Sequence, residues 1–357
     1  MTKLCPVGGL ILDKKKLLWS VFSALLAALS IWAVIAQDKH FTFSYFTTFI
    51  VSSDKRFLIP ALFMMCGYFF FEGCALARMS HHLGFGGSKT GIVYGAADVY
   101  FSAITPSASG GQPATAFFMM MDGIPGAAAT VMLLMNLFMY TLSIIIIGGC
   151  TMLTSFDLFV GFSVLSKILI IAGLIIITGL GIIFMFLLCK SQALHRICDR
   201  IILFLGKIRL IKKTDSYRER LNVIITEYED CSNTIRGHTR LIIDVFILNM
   251  LQRISQIATT VFVYLSAGYG FETAKKVWHI QNYTVLGSNC IPVPGAMGVA
   301  DYIMLDGYSL IPEVRGIEAE MELICRGISF YGCIFICGTI LLVGFMSRKI
   351  KEKDKKC

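Results

Sequence analysis

The sequence predicts an all-α polytopic membrane protein, with six spanning helices plus two re-entrant helical hairpins arranged as an inverted repeat. Three observations predict it. Of 357 residues, 56% are hydrophobic and only 15% charged, more apolar material than one soluble core requires. Six apolar runs reach the roughly 20 residues that a helix needs to cross about 30 Å of hydrocarbon. Lys and Arg gather in alternate connections, as they do when positive loops stay cytoplasmic.

The spans read in order as Leu17–Ala36, Phe57–Ala77, Ile124–Cys150, Lys167–Cys189, Leu241–Gly268 and Glu322–Met346. The first follows Lys14, Lys15 and Lys16, is long for a signal-peptide core and lacks a small-residue cleavage site, so it reads as a retained signal anchor. Residues 1–16, 78–89, 190–240 and 347–357 hold 23 Lys and Arg, against 6 in residues 37–56, 151–166 and 267–321. Both termini are therefore expected in the cytoplasm, with 347–357 as a basic tail. That orientation requires residues 90–122 to enter and leave from the cytoplasmic side, and residues 277–310 to do so from outside. Both are too polar and broken to span.

Span, span, hairpin, span then occurs twice, in residues 1–150 (half A) and 167–346 (half B), starting from opposite sides. The expectation is a single membrane domain over 1–346, although the halves show no convincing residue-level identity. Residues 190–240 carry Leu221, Ile225 and Tyr228, and Ile201, Leu205 and Ile208, at helical spacing among basic residues. This insert reads as an amphipathic segment along the anionic inner leaflet, or as a soluble cytoplasmic helical hairpin.

The formal charge of +9 lies in short blocks with no recognition motif, so no nucleic-acid partner is expected. The 12 cysteines, among them Cys66, Cys74, Cys150, Cys290 and Cys333, form no CxxC pair and read as small packing residues. No metal site and no cofactor are expected. With no nucleotide loop and no Ser/His/Asp arrangement, no catalytic residue is assigned either.

The broken segments carry the functional signal, because irregular backbone at membrane depth is tolerated only where protein buries it or it lines a watery cavity. In "YFSAITPSASGGQPATAFFMMMDGIP" (100–125), Ser109, Gly110, Gly111 and Gln112 lead into a helix whose first turn suits Pro113. In "NCIPVPGAMGVADYIML" (289–305), Pro292 and Pro294 break the chain and Gly295 frees it to start another helix, with Asp301 roughly two turns in and Gly298 among the candidate head-group residues. Each tip would present a helix N-terminus suited to an anion such as phosphate. The other reading is a pair of tight turns needed for packing, toward which the spacing of Gly87, Gly91 and Gly95 leans. Ionisable residues within or near the spans are Glu72, Asp98, Asp122, Asp244, Arg253, Asp301 and Arg326. Asp122 and Asp244 read as hydrated interfacial groups; each of the others is open to a structural ion pair or a substrate contact.

The stretches "ITPSASGGQPATAFFMMMDGIP" and "IPVPGAMGVADY", with the weaker "CRGISFYG" of the last span, resemble the flippase-like membrane domain of the lysylphosphatidylglycerol synthase/flippase (multiple peptide resistance factor) family. The likeness runs from about residue 15 to 346. It implies a bacterial plasma-membrane protein that moves a phospholipid such as lysylphosphatidylglycerol between leaflets, contributing to surface charge and to resistance against cationic antimicrobial peptides. Two departures matter. With eleven residues after the last span, the family's soluble aminoacyl-tRNA-dependent synthase domain is not expected here, and Asp301 stands where the family usually shows Glu.

The implied partner is an anionic or aminoacylated phospholipid, with a separate synthase or a second copy of the chain as further candidates. Rival functions are a phosphatidylglycerol lysyltransferase and a small-anion transporter. Within the lipid reading, Arg326 holds the head-group phosphate through two parallel hydrogen bonds, while Asp301 and Glu72 receive a cationic amino group. The structural alternative is a direct Arg326–Asp301 ion pair.

Overall fold

The computed structural model of the protein describes residues 43–86, 90–105, 108–190, 195–196, 199–200, 203, 214–289, 291 and 293–354. The chain divides into two compact units, Met1–Phe43 and Ser44–Cys357, and the helices of the second form the architecture. The expected first span, Leu17–Ala36, lies outside the described residues, as do Gly87, Cys290 and Pro292.

Among the described residues every regular element is helical. In chain order they are α1 (Phe43–Ser52), α2 (Lys55–His82), α3 (Gly91–Ile104), α4 (Gly111–Met121), α5 (Gly126–Thr154), α6 (Phe156–Gly161), α7 (Val164–Cys189) and α8 (Thr214–Arg236). There follow α9 (Thr239–Ser266), α10 (Phe271–Ser288), α11 (Val299–Ser309), α12 (Glu318–Arg326) and α13 (Cys333–Asp354). A π-turn over Gly327–Gly332 joins α12 to α13, so the last span is one column with a wide turn inside it.

Among the described residues, five helical stretches are long and apolar enough to cross a membrane: α2, α5, α7, α9 and the column Glu318–Lys349. They coincide with five of the six runs read from the sequence. The chain is a multi-pass membrane protein. Its most apolar span, α7, leaves Ile168, Ile175, Ile182 and Phe186 uncovered by protein, as a lipid-facing stripe requires, and turns Ile170, Gly173 and Ile177 inward.

Helix starts follow local chemistry. Asp54 caps α2 by accepting from the Arg56 amide at 2.9 Å, and Ser163 caps α7 by accepting from the Ser166 amide. Small residues set the closest crossings. A Cβ on Gly95 would run into the Phe69 carbonyl and the Gly73 amide, and one on Gly173 would meet the Leu286 carbonyl. The packing reading of Gly91 and Gly95 is thereby borne out: both pack backbone to backbone on α2.

Polar contacts tie the helix ends into two layers. At one end, Arg78 near the close of α2 pairs with Asp244 near the start of α9 at 2.8 Å, and the His82 and His238 rings meet edge to face at 4.2 Å. There too the Tyr94 hydroxyl, in the first turn of α3, donates to Asp122 at the close of α4 at 2.7 Å. Arg348 from α13 clasps the same carboxylate at 2.6 and 2.7 Å. At the other end, the Asp54 amide donates to the Ser266 carbonyl at 2.8 Å, the Tyr264 and Tyr308 rings lie 5.2 Å apart, and Asp306 accepts from the Ser163 amide at 2.9 Å.

Helices α3 (14 residues) and α4 (11 residues) are too short to cross about 30 Å, as is α11 with 11 residues. The α3–α4 pair folds back on itself, so its first and last residues lie together while Thr105 and residues 108–111 sit at its far tip. Asp122 and Asp244 are not the freely hydrated groups that the sequence suggests. Each is committed to an arginine, because a carboxylate at the margin of an apolar slab gains more from a fixed cation than from partial hydration.

Ile201, Leu205 and Ile208 of the amphipathic insert lie outside the described residues, and its described part, α8, differs in detail. Ile225, Tyr228, Ser232 and Ile235 of α8 are buried against protein rather than turned to lipid. Tyr228 and Ser232 donate to the Leu187 and Leu188 carbonyls at 3.1 and 2.9 Å, satisfying acceptors that the end of α7 leaves open.

Candidate functional site

A cavity of about 580 Å³ lies among α2, α3, α5, α7, α9, α10 and the α12–α13 column. Both broken segments reach it. Ala108, Ser109 and Gln112 line it from the first, Asn289, Gly295 and Ala296 from the second, and Tyr140 of α5 donates to the Asn289 side-chain oxygen at 3.1 Å. Ala108 (φ 53°) and Ala296 (φ 51°) both adopt the left-handed conformation, which costs a residue bearing a Cβ about 1–2 kcal/mol. Nothing in the sequence marks these alanines; their strain shows only once the tips are built against the cavity wall.

Helix α4 starts at Gly111, with Pro113 in its first turn as expected. Gly111 is nevertheless a packing glycine, since a Cβ there would strike the Asp98 backbone and the Ser102 side chain. Gly110 is likewise pressed on Thr105, which bonds its amide at 2.8 Å. Gly295 has φ +59°, and a Cβ would meet the Phe330 ring. The expected half-helix after Pro294 begins later, at Val299 behind Gly298, so Asp301 sits in its first turn rather than two turns in. There its carboxylate accepts from the Gly298 amide at 2.7 Å.

Two clusters of two carboxyl groups and one guanidinium face this space, and they differ in how their charges are satisfied. In the first, Arg326 pairs with Asp301 and, one turn back, with Glu322 at 3.3 Å. The ion pair left open by the sequence is thus present, and Glu322, which the sequence reading passed over as the first residue of a span, completes it. Its spacing of four residues from Arg326 on one helix was the available signal.

In the second cluster, Glu72 of α2 is 2% exposed and lies within hydrogen-bonding reach of Asp98 of α3. Asn136 and Gln252 donate to Glu72, Gln112 donates to Asp98 at 3.2 Å, and Asn249 extends the chain by donating to Asn136 at 3.0 Å. The cation beside them, Arg253 of α9, is 2% exposed. It donates to Gln256 and stacks 4.3 Å over the Tyr140 ring, yet its Nε and Nη2 have no partner among the described residues. A buried guanidinium with donors to spare is costly unless an anion completes it.

Of the residues selected from the sequence, Glu72, Asp98, Ser109, Gln112, Arg253, Gly295 and Arg326 line the cavity, whereas Gly110, Gly111, Gly298 and Asp301 are not among its lining residues. Asp301 stands directly behind the lining residue Arg326. Missed were Glu322, Asn136, Tyr140, Gln252 and Gln256, whose polar character is ordinary and whose convergence is a property of the fold. No group of three or more His, Cys, Asp or Glu side chains suited to a metal occurs among the described residues.

Residues 17–351 match the family described as the lysylphosphatidylglycerol synthase TM region. The chain belongs to that family. The match takes in both broken segments and every residue of the two charge clusters, and it agrees with the resemblance drawn from the motifs. No curated protein and no solved structure matches the chain.

Proposed function

We propose that this member of the lysylphosphatidylglycerol synthase TM-region family moves a phospholipid such as lysylphosphatidylglycerol between leaflets, with the head group passing through the central cavity. The observation that carries the reading is Arg253: a buried guanidinium, unpaired at Nε and Nη2, facing a cavity that both strained tips also line. Two parallel N–H donors fit a phosphodiester. Arg326, the phosphate ligand expected from sequence, is already held by two carboxylates, so the phosphate role passes to Arg253. Asp301 is likewise committed, which leaves Glu72 and Asp98 for the cationic amine of an aminoacylated head group.

The proposed topology has six spans and two re-entrant hairpins in an inverted repeat, both termini in the cytoplasm, within one membrane domain over residues 1–346. It is supported by the contact of Tyr94 with Asp122, which brings both feet of the α3–α4 hairpin to the end where the basic α13 also finishes. In a bacterial plasma membrane this activity would raise outer-leaflet positive charge and protect against cationic peptides.

The test is a set of proteoliposomes containing only this protein. Movement of labelled lysylphosphatidylglycerol without uptake of a small soluble anion supports the proposal. Anion uptake without lipid movement would make the protein an anion transporter, and formation of lysyl-lipid from charged tRNA by the purified chain would make it the lysyltransferase.

A further inference from the structure

The second cluster holds more acid than its neighbours neutralise. Glu72 and Asp98 come from different helices and meet carboxyl to carboxyl. The groups facing them are Tyr68 from α2, Gln112 from α4, Asn136 and Tyr140 from α5, Gln252 and Arg253 from α9, and Cys333 from α13. Arg253 is the only cation in that set, and among the described residues it makes no ion pair with either carboxylate. Two enclosed carboxyl groups this close repel each other when both are ionised, which favours sharing one proton between them. The independent sign that a charged ligand enters here is Arg253 itself, whose spare donors face the same cavity.

We propose that the Glu72–Asp98 pair is a proton-binding site that exchanges its proton for the ammonium group of the transported lipid. The inference rests on the lipid-translocation reading. When the phosphodiester docks on Arg253, the ammonium of the head group reaches the carboxyl pair. The shared O–H proton passes to water, and the carboxylate so formed pairs with the ammonium. One positive charge enters the site and one leaves, so the buried charge is unchanged. If the ammonium leaves to the outside, a proton from that same side replaces it, and that proton is released inside when the next ammonium binds, then outward movement of a cationic lipid is coupled to inward movement of a proton. A lipid with phosphate but no amine, such as phosphatidylglycerol, has nothing with which to displace the proton.

Titration calorimetry on the purified full chain, in two buffers of different ionisation enthalpy, reads lipid binding and proton count together. Lysylphosphatidylglycerol is expected to release about one proton per lipid bound, and phosphatidylglycerol none. Glu72→Gln and Asp98→Asn, each checked for unchanged thermal unfolding, are expected to bind the lysyl-lipid more weakly and to release no proton with it. Should either variant fold poorly, the other carries the comparison, and the two-lipid contrast in the parent protein stands without both. Binding of the lysyl-lipid with no proton release overturns the exchange and leaves lipid translocation intact. Equal release by both lipids overturns it too, by assigning the proton to the phosphate. Binding of neither lipid overturns the translocation reading and this inference together.

Discussion

Replacing Asp301 with Asn separates a structural ion triad from a lipid-binding group, because the fold makes the two roles differ in size and in lipid dependence. The Arg326 side chain is 12% exposed and touches two acids, Asp301 (29% exposed) and Glu322 (10%). Removing Arg326 by Arg326→Gln leaves two enclosed carboxylates without their cation, a loss of about 3–5 kcal/mol. Asp301→Asn is milder, since Arg326 keeps Glu322 and the Asn oxygen still accepts from the Gly298 amide; one charged hydrogen bond is weakened, about 1.5–3 kcal/mol. Asp301→Ala loses that cap as well, adding about 1 kcal/mol.

At about 2 °C per kcal/mol, suited to a chain this long, the unfolding midpoint falls roughly 6–10 °C for Arg326→Gln and 3–6 °C for Asp301→Asn, with Asp301→Ala about 2 °C below the latter. The assay is fluorescence-monitored thermal unfolding in detergent, with lysylphosphatidylglycerol, phosphatidylglycerol or neither. The order of the three variants is expected to be the same in all conditions. An Asp301→Asn protein of parental stability that has lost its preference for the lysyl-lipid would refute the structural assignment.

Gly95→Ala and Gly173→Ala are expected to lower the midpoint by several degrees, since backbone atoms of α2 and α10 occupy the Cβ positions, whereas Gly179→Ala, with open space around it, is expected to raise stability by about 0.5–1 kcal/mol. Thermal unfolding in detergent compares them directly. Tyr94→Phe removes the hydroxyl bridge to Asp122 and is expected to cost about 1 kcal/mol while Arg348 still holds the carboxylate; a larger loss than that of Asp122→Asn would contradict the geometry. Single cysteines introduced at 237 and 160 in a cysteine-reduced background test orientation in intact cells. Impermeant reagent is expected to label 160 and spare 237, and the reverse pattern would invert the proposed topology.

The spans were legible because nearly 20 consecutive apolar residues leave little alternative to a membrane helix, and the limits of α2, α5, α7 and α9 depart from the apolar runs by only a few residues. Prolines and glycines likewise marked both tips, since breakers act locally. What the sequence could not resolve was pairing. Arg253 and Arg326 are equivalent as letters inside apolar runs; the i,i+4 spacing hints at Glu322, but only the meeting of helices gives Arg326 Asp301 and leaves Arg253 without an acid. The same holds for Gly111, where a residue at a predicted tip is fixed by packing on Asp98 and Ser102. The π-turn over "GISFYG" was invisible for a related reason: each residue in it is compatible with an ordinary α-helix, and nothing local distinguishes the wider turn.

The central claim is that Arg253 serves transport whereas Arg326 serves the fold. Liposomes are prepared with lysylphosphatidylglycerol confined to the inner leaflet and reconstituted with the parent protein, Arg253→Gln or Arg326→Gln, and an impermeant amine-reactive reagent follows arrival of the lipid outside. The account predicts rapid arrival with the parent protein, arrival no faster than in protein-free liposomes with Arg253→Gln at an unchanged unfolding midpoint, and a lowered midpoint with Arg326→Gln. Transport by Arg253→Gln at the parental rate would contradict it.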